Sequence, residues 1–92
     1  MDDCPVQKTA TLLSDTWTML IIRDLLEGPR RFCDLERSLE GISTRTLTLK
    51  LKKLEEEKLI KKLKDGSYGA TPRGLGLRTV ESAMRRYGEK YL

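Results

Sequence analysis

The spacing of apolar residues predicts two helices at the start of the chain. Pro5 suits the first turn of a helix, and the apolar residues that follow it recur at helical spacing, so we expect a first helix at residues 5–13. Ser14-Asp15 supplies a cap for a second helix at residues 17–27, which a Gly-Pro pair ends. Because the second helix is apolar all round, we expect it to lie at the centre of the core.

Two further helices carry narrower apolar stripes. We expect the third at about residues 33–39, followed by a turn at Glu40-Gly41. The fourth, at residues 44–58, begins at a cap supplied by Ser43 or Thr44. Its inner stripe has the spacing i, i+4, i+7 and consists of Leu47, Leu51 and Leu54. The opposite face is left for solvent or for a partner.

A β-hairpin and a long last helix complete the pattern. Strands are expected at residues 60–64 and 67–71 around Asp65-Gly66, the dipeptide that most favours a two-residue type I′ turn. The last helix is predicted over residues 72–91. Its apolar stripe consists of Leu77, Val80, Met84, Tyr87 and Tyr91. This stripe is longer than one small core needs.

The order of the elements predicts a mainly α fold with a small β-hairpin wing (α+β), the winged helix-turn-helix, as a single domain over residues 1–92. Helices three and four form the helix-turn-helix pair. Helix four is the expected recognition helix, and its N-terminal residues would enter the major groove of DNA.

Helix four and its cap therefore supply the expected contacts to DNA. These are Ser43, Thr44, Arg45, Thr46, Thr48, Leu49, Lys52 and Lys53. Arg45 can bridge guanine O6 and N7, and Leu49 can pack on a thymine methyl group. The two lysines suit phosphates. Residues 55–57 are all glutamate and would repel DNA, so we expect that end of the helix to point out of the groove.

A second basic cluster lies in the wing and beside it. The expected contacts to flanking phosphates are Arg31, Lys61, Lys62 and Lys64. Lysines also protect an exposed edge strand from aggregation, which is a purely structural explanation of the same residues.

Composition narrows the class of protein. The 92 residues carry a net charge of +4, which is compatible with a polyanionic partner. There is no histidine, and there are only two cysteines, so we expect no enzyme, no metal site and no cofactor. The longest apolar run, residues 17–26, is too short and too charged to span a membrane. The acidic start Met1-Asp2-Asp3 does not fit a signal peptide, so a cytoplasmic location with free thiols is expected.

Several stretches of the chain together match a known sequence pattern. The most specific is residues 41–47, Gly-Ile-Ser-Thr-Arg-Thr-Leu. The others are Cys4-Pro5-Val6, residues 17–26, residues 28–32 and Thr71-Pro72 with Gly74. Over nearly its whole length the chain thus resembles the HxlR-type winged helix-turn-helix family of prokaryotic regulators. The wing departs from the family, since residues 64–67 form a tight turn where many members have a longer loop.

The resemblance implies a transcriptional regulator that binds a double-stranded DNA operator as a homodimer. Dimers of this family are built largely from the terminal helices, which here are residues 5–13 and 72–91. The expected interface residues are Val6, Leu77, Val80, Met84, Tyr87 and Tyr91.

The resemblance also makes Cys4 a candidate thiol switch, because some members use a cysteine at this position to sense electrophiles or oxidants. A helix N-terminus favours the reactive thiolate, whereas the neighbouring Asp2 and Asp3 disfavour it. The alternative is that Cys4 is a small capping residue that merely packs. Both possibilities stay open. Cys33 is expected to be a small buried hydrophobic residue.

Three classes of function remain open. The first is a DNA-binding repressor or activator, and the second is a winged helix used for protein–protein contact without DNA binding. The exposed face of helix four distinguishes these two, because a protein-binding version should be more apolar and less basic there. The third is an enzyme or a metal-binding module, against which the missing histidines count heavily.

Overall fold

Six helices and one two-stranded hairpin follow one another in the computed structural model, which describes residues 4–92. They are α1 (Pro5–Leu12), α2 (Thr16–Glu27), α3 (Phe32–Ser38), α4 (Thr44–Glu56), β1 (Ile60–Lys62), β2 (Tyr68–Ala70), α5 (Pro72–Leu75) and α6 (Arg78–Tyr91). The predicted mainly α fold with a hairpin wing is confirmed. Asp2 and Asp3, on which part of the Cys4 argument depends, lie outside the described residues.

The second helix is central, as its apolar composition predicts. Ile21, Ile22 and Leu25 are almost completely buried, and α2 contacts β2 and the helices α3, α4, α5 and α6. Asp15 caps α2, because its side chain accepts a hydrogen bond from the Thr18 backbone N–H at 2.8 Å. The other elements close the core with Leu35, Leu39, Leu47, Leu51, Leu54, Leu59, Ile60 and Leu77.

The end of α4 turns the chain into the hairpin. Leu59 N–H donates to the Leu54 carbonyl and Lys58 N–H donates to the Glu55 carbonyl, both at 3.0 Å. These two bonds, with Lys58 at φ 65°, form a Schellman motif, which ends a helix through a left-handed residue. α4 therefore stops at Glu56, two residues before the predicted end.

The start of α5 is fastened to the same turn. Thr71 Oγ1 donates to the Lys58 carbonyl at 2.6 Å, and Thr71 N–H donates to the Leu59 carbonyl at 3.1 Å. Gly74 approaches so closely that a Cβ atom there would lie 2.1 Å from the Leu59 carbonyl oxygen. Only glycine fits this position without a shift of the backbone.

The predicted type I′ turn of the hairpin is wrong. That turn needs a positive φ at both Asp65 and Gly66, and only Gly66, at φ 90°, has one. Leu63 N–H donates to the Ser67 carbonyl at 2.7 Å, and Gly66 N–H donates to the Leu63 carbonyl at 3.0 Å. Residues 64–66 thus form a three-residue loop. The Asp65 side chain favours it by accepting hydrogen bonds from Ser67 N–H and Oγ.

The predicted single helix over residues 72–91 is also wrong, because the chain bends between α5 and α6. Gly76 caps α5, and Leu77 is the N-cap of α6. Leu77 is only 8% exposed and belongs to the core, so it is not part of the predicted surface stripe. The prediction that Cys33 is buried is wrong as well. It is exposed, because the inward face of the short helix α3 is taken by Leu35, with Leu39 buried just after the helix ends.

Candidate nucleic-acid interface

The rotation of α4 about its axis is fixed by its buried leucines. Leu47, Leu51 and Leu54 are at most 2% exposed, as predicted. Successive residues of a helix are about 100° apart, so Arg45, Leu49 and Lys52 lie on the opposite side. All three are exposed, and Leu49 keeps 54% of its surface accessible. The outward face of α4, meaning these last three residues, is thus basic with one apolar member.

The hydroxyl groups at the start of α4 are engaged within the protein. Ser43 Oγ accepts from Thr46 N–H at 3.0 Å and donates to Thr46 Oγ1 at 2.9 Å. Thr44 Oγ1 donates to Glu36 Oε2 at 2.7 Å, and Thr48 Oγ1 donates to the Thr44 carbonyl at 2.8 Å. Sequence reasoning missed Glu36, which the turn between α3 and α4 brings to Thr44.

Arg45 differs from these neighbours. Within residues 4–92 its guanidinium group makes no hydrogen bond and no ion pair, and the residue is exposed. Because the hydroxyl protons of Ser43, Thr44 and Thr48 are already donated, Arg45 carries the main supply of uncommitted donors at the start of α4.

One flank of α4 is tied to the start of α2. Lys50 Nζ lies 2.9 Å from Asp15 Oδ2, a contact that the sequence did not suggest. Burial by itself raises the pKa of Asp15, but hydrogen bonds from Lys50 and Thr18 outweigh it and hold the pKa below its usual value. Lys53 lies on the same flank, where it lines a groove of about 550 Å³ with Lys8 of α1 and Arg73 of α5.

The wing presents the predicted lysines. Lys61, Lys62 and Lys64 are exposed, and Lys62 Nζ lies 5.6 Å from the centroid of the Tyr68 ring on the paired strand. Tyr68 also joins the wing to the segment before α3. Its N–H donates to the Arg30 carbonyl at 2.7 Å, and Arg30 N–H donates to the Tyr68 carbonyl at 3.0 Å.

Arg31, the remaining predicted contact of this region, lies against the tip of the wing. Its Nη2 is 3.9 Å from Asp65 Oδ2. Hydrogen bonds from the Ser67 hydroxyl and N–H, and to a smaller extent the charge of Arg31, hold the pKa of Asp65 below its usual value. The sequence predicts only a turn role for Asp65, because no local pattern indicates that the tip of the wing meets the segment before α3.

The two terminal helices are poorly covered. Neither α1 nor α6 contains a fully buried residue, and Val6 is 76% exposed. Met84, Tyr87 and Tyr91 are more than half exposed, and the two tyrosine rings are 4.9 Å apart. An apolar groove of about 520 Å³ joins the helices and is lined by Pro5, Val6, Thr9, Ala10, Leu13, Val80 and Met84. We refer to this groove and the two tyrosines as the terminal-helix surface.

Cys4 directly precedes Pro5, which lines that groove. It is the N-cap residue of α1 and is exposed, and its side chain makes no capping hydrogen bond. In the part of the chain that the structure describes, no group of three acidic or cysteine side chains is arranged to hold a metal ion. No helix in that part is long and apolar enough to cross a bilayer.

Comparison with known proteins decides the family. A sequence model of the HxlR-like helix-turn-helix matches residues 12–92. The chain belongs to the HxlR-like helix-turn-helix family. The resemblance found in the sequence is therefore confirmed, and the chain is a transcriptional regulator of the helix-turn-helix type.

Similar proteins agree with this assignment. The HTH-type transcriptional regulator sll1512 of Synechocystis is 36% identical over 95 residues, which cover 97% of this chain and 70% of that protein. A solved structure from Porphyromonas gingivalis, a putative transcriptional regulator of the MarR family, has a TM-score of 0.92 at 30% identity. The match covers all of this chain and 96% of the Porphyromonas chain. Quinone-bound YodB of Bacillus subtilis has a TM-score of 0.85 at 29% identity, with 96% of this chain and 99% of YodB covered.

The packing of α4 generates a prediction that needs no DNA. We expect Leu51→Ala to lower the free energy of unfolding by about 2–5 kcal/mol, because it empties a space in the core. Leu49→Ala, the matched control on the same helix, should change it by less than about 0.5 kcal/mol. Urea denaturation followed by circular dichroism measures both values. A larger loss for Leu49→Ala than for Leu51→Ala would mean that α4 is rotated about its axis.

Proposed function

We propose that the protein binds a double-stranded DNA operator as a homodimer and thereby represses or activates transcription, with α4 as the recognition helix. The observation that carries the proposal is the outward face of α4, where Arg45, Leu49 and Lys52 are exposed directly opposite the buried leucines. The regulatory family to which the chain belongs supports this reading. The proposal includes no catalytic step, metal or cofactor. Because the family is one of prokaryotic regulators and prokaryotic DNA lies in the cytoplasm, the proposed location is the cytoplasm.

The chemistry of α4 divides the contacts into two kinds. Arg45 has free donors for guanine, and Leu49 offers an apolar surface for a thymine methyl group, so these two would read bases. Lys52 would meet a phosphate, as would the lysines of the wing. Ser43, Thr44 and Thr48 would contribute lone pairs, methyl groups and shape, since their hydroxyl protons serve the fold. The Thr46 hydroxyl accepts from Ser43 and keeps its own proton for a base or a phosphate.

A protein-binding role without DNA is the alternative, and the outward face of α4 gives it less support. That face has a single exposed apolar residue, Leu49, between two cations. The centres of protein–protein interfaces are depleted in charge, whereas those of protein–DNA interfaces are strongly positive.

The first test of this proposal selects bound sequences from random duplex DNA at two salt concentrations. We expect Arg45→Ala to lose about 1–3 kcal/mol of discrimination at one base position, because a bidentate contact to a base disappears. Lys52→Ala should instead weaken the binding of all sequences alike. It should also reduce the slope of log K against log salt by about 1, the value for one phosphate contact. If the wild-type protein selects no sequence and binds no duplex at either concentration, the protein-binding alternative is favoured.

Dimerisation is supported by the terminal-helix surface. An isolated helix as short as α1 is unstable in water, so a helix with no buried residue needs further contacts. The exposed valine, methionine and tyrosines form an apolar region of the kind that marks an interface. A second copy would bury it about a two-fold axis, and the two recognition helices would then reach successive major grooves.

We therefore expect a dimer at micromolar concentration in sedimentation experiments. Met84→Glu should give a monomer, because it places a charge in the apolar groove that joins α1 and α6. Arg86→Glu is the matched control, since Arg86 is an exposed residue of α6 on the face away from the stripe. A wild-type monomer that still binds operator DNA would contradict the dimer proposal, as would a dimer formed equally well by Met84→Glu.

Cys4 is the candidate for an input signal in this proposal. Cys4 is exposed at the N-terminus of α1, two residues before Val6 of the terminal-helix surface. YodB, to which the chain is similar, has been solved bound to quinone and after diamide treatment. A modified Cys4 would disturb the proposed dimer contacts and with them the spacing of the recognition helices. The alternative of a simple capping residue is weakened, because the side chain makes no capping hydrogen bond.

We expect quinone or diamide treatment to change the operator affinity of the wild-type protein and to leave that of Cys4→Ser unchanged. Cys33→Ser is an essential control, because Cys33 is a second exposed thiol. It should respond as the wild type does. Equal responses of wild type and Cys4→Ser would show that Cys4 is no sensor.

A further inference from the structure

Arg31 and Asp65 bring opposite charges together from two separate elements. Arg31 is the residue before α3, and Asp65 lies in the loop at the tip of the wing. Their Nη2 and Oδ2 atoms are 3.9 Å apart. Arg31 Nη1 also lies 3.5 Å from the place where a Cβ atom on Gly66 would be. The guanidinium group therefore rests against the loop of the wing.

The surroundings of the pair hold the carboxylate with two hydrogen bonds, whereas the guanidinium group makes no hydrogen bond within the described residues. Asp65 Oδ1 is held by Ser67 N–H at 2.9 Å and by Ser67 Oγ at 2.7 Å, so Oδ2 is the oxygen turned to Arg31. The backbone bonds between Arg30 and Tyr68 hold the two segments side by side. Within residues 4–92, Asp65 is the only carboxylate in an ion pair with the Arg31 guanidinium group. Asp34 pairs with Arg37 at 2.6 Å and accepts a hydrogen bond from the Arg31 backbone N–H at 3.1 Å.

The pair is easily exchanged. The side chains of Arg31 and Asp65 are 57% and 64% exposed, and water screens such a contact strongly. A phosphate group can accept two parallel hydrogen bonds from arginine, whereas Asp65 offers Arg31 only Oδ2, because Ser67 holds Oδ1. The pKa of Asp65 lies below its usual value, so its carboxylate is charged at neutral pH. If Arg31 moves from Asp65 to a DNA phosphate, that negative charge remains unbalanced beside the phosphates.

We propose that Asp65 competes with DNA phosphates for Arg31 and so lowers the affinity of the wing for duplex DNA of any sequence. Asp65 is then a positioning residue that sets the balance between α4, which reads bases, and the wing, which binds phosphates. Lys61, Lys62 and Lys64 face no such internal competitor within the described residues, since none of them has an ion-pair partner there. This inference rests on the proposed binding of DNA.

The test is a double-mutant cycle on the full chain with Asp65→Asn, Arg31→Ala and the double variant. Asparagine keeps the oxygen that accepts from Ser67 and removes only the charge. The binding of a fluorescent random-sequence duplex is followed by anisotropy at several salt concentrations. We expect Asp65→Asn to tighten binding about threefold to tenfold and to steepen the slope of log K against log salt by about 0.9, the value of one added phosphate contact.

The dependence of this gain on Arg31 decides the matter. In the Arg31→Ala background, Asp65→Asn should give little tightening and no change of slope. An equal gain with and without Arg31 would overturn the inference, since Asp65 would then act on DNA through its own charge alone. Glu89→Gln, a charge change on the exposed part of α6, controls for net charge and should leave affinity and slope unchanged.

Two further results keep the outcome clear. Thermal unfolding shows whether each variant is folded, and Asp65→Ser, whose hydroxyl can also accept from Ser67, replaces Asp65→Asn if that variant is not. Binding of duplex by all four proteins with additive effects would contradict only the competition for Arg31. The absence of binding in all four would instead contradict the proposed function.

Discussion

The packing of the α4 leucines against α2 is the contact on which the other features depend. Because Leu47, Leu51 and Leu54 occupy one side of α4, that helix has a single possible rotation, and its polar residues acquire a fixed direction. The same buried helix, α2, also contacts β2 and α6. One core element therefore sets the places of α4, the wing and α6 relative to each other.

Polar contacts then refine what the core has placed. The hydroxyls of Ser43, Thr44 and Thr48 stabilise the start of α4, and Lys50 ties its flank to the cap of α2. Groups that hold a helix in place cannot also donate to a ligand without a cost. The division between side chains that position α4 and side chains that remain available, with Arg45 foremost among the latter, follows from this hydrogen bonding.

The features that the sequence could predict are those decided by local spacing. The leucine register, the caps at Asp15 and Ser43 and the presence of a hairpin all depend on residues within one or two turns of each other. The errors have long-range or side-chain causes. Leu77 packs in the core between α5 and α6, which interrupts the predicted single helix. The Asp65 side chain accepts a hydrogen bond from Ser67 N–H and so favours a three-residue loop over the type I′ turn. Three pairs were missed: Thr44 with Glu36, Lys50 with Asp15, and Arg31 with Asp65. The two members of each pair come from different elements and meet only when the chain folds.

The terminal helices represent the opposite physical case to α2. A helix without buried residues adds little stability of its own, so α1 and α6 depend on whatever covers the groove between them. Structural elements of low stability are those that a modest perturbation can shift. Cys4 begins one of these helices, whereas Cys33 lies in α3 beside the buried Leu35. A chemical change at Cys4 would thus act on an element of low stability, while the buried core and α4 stay intact.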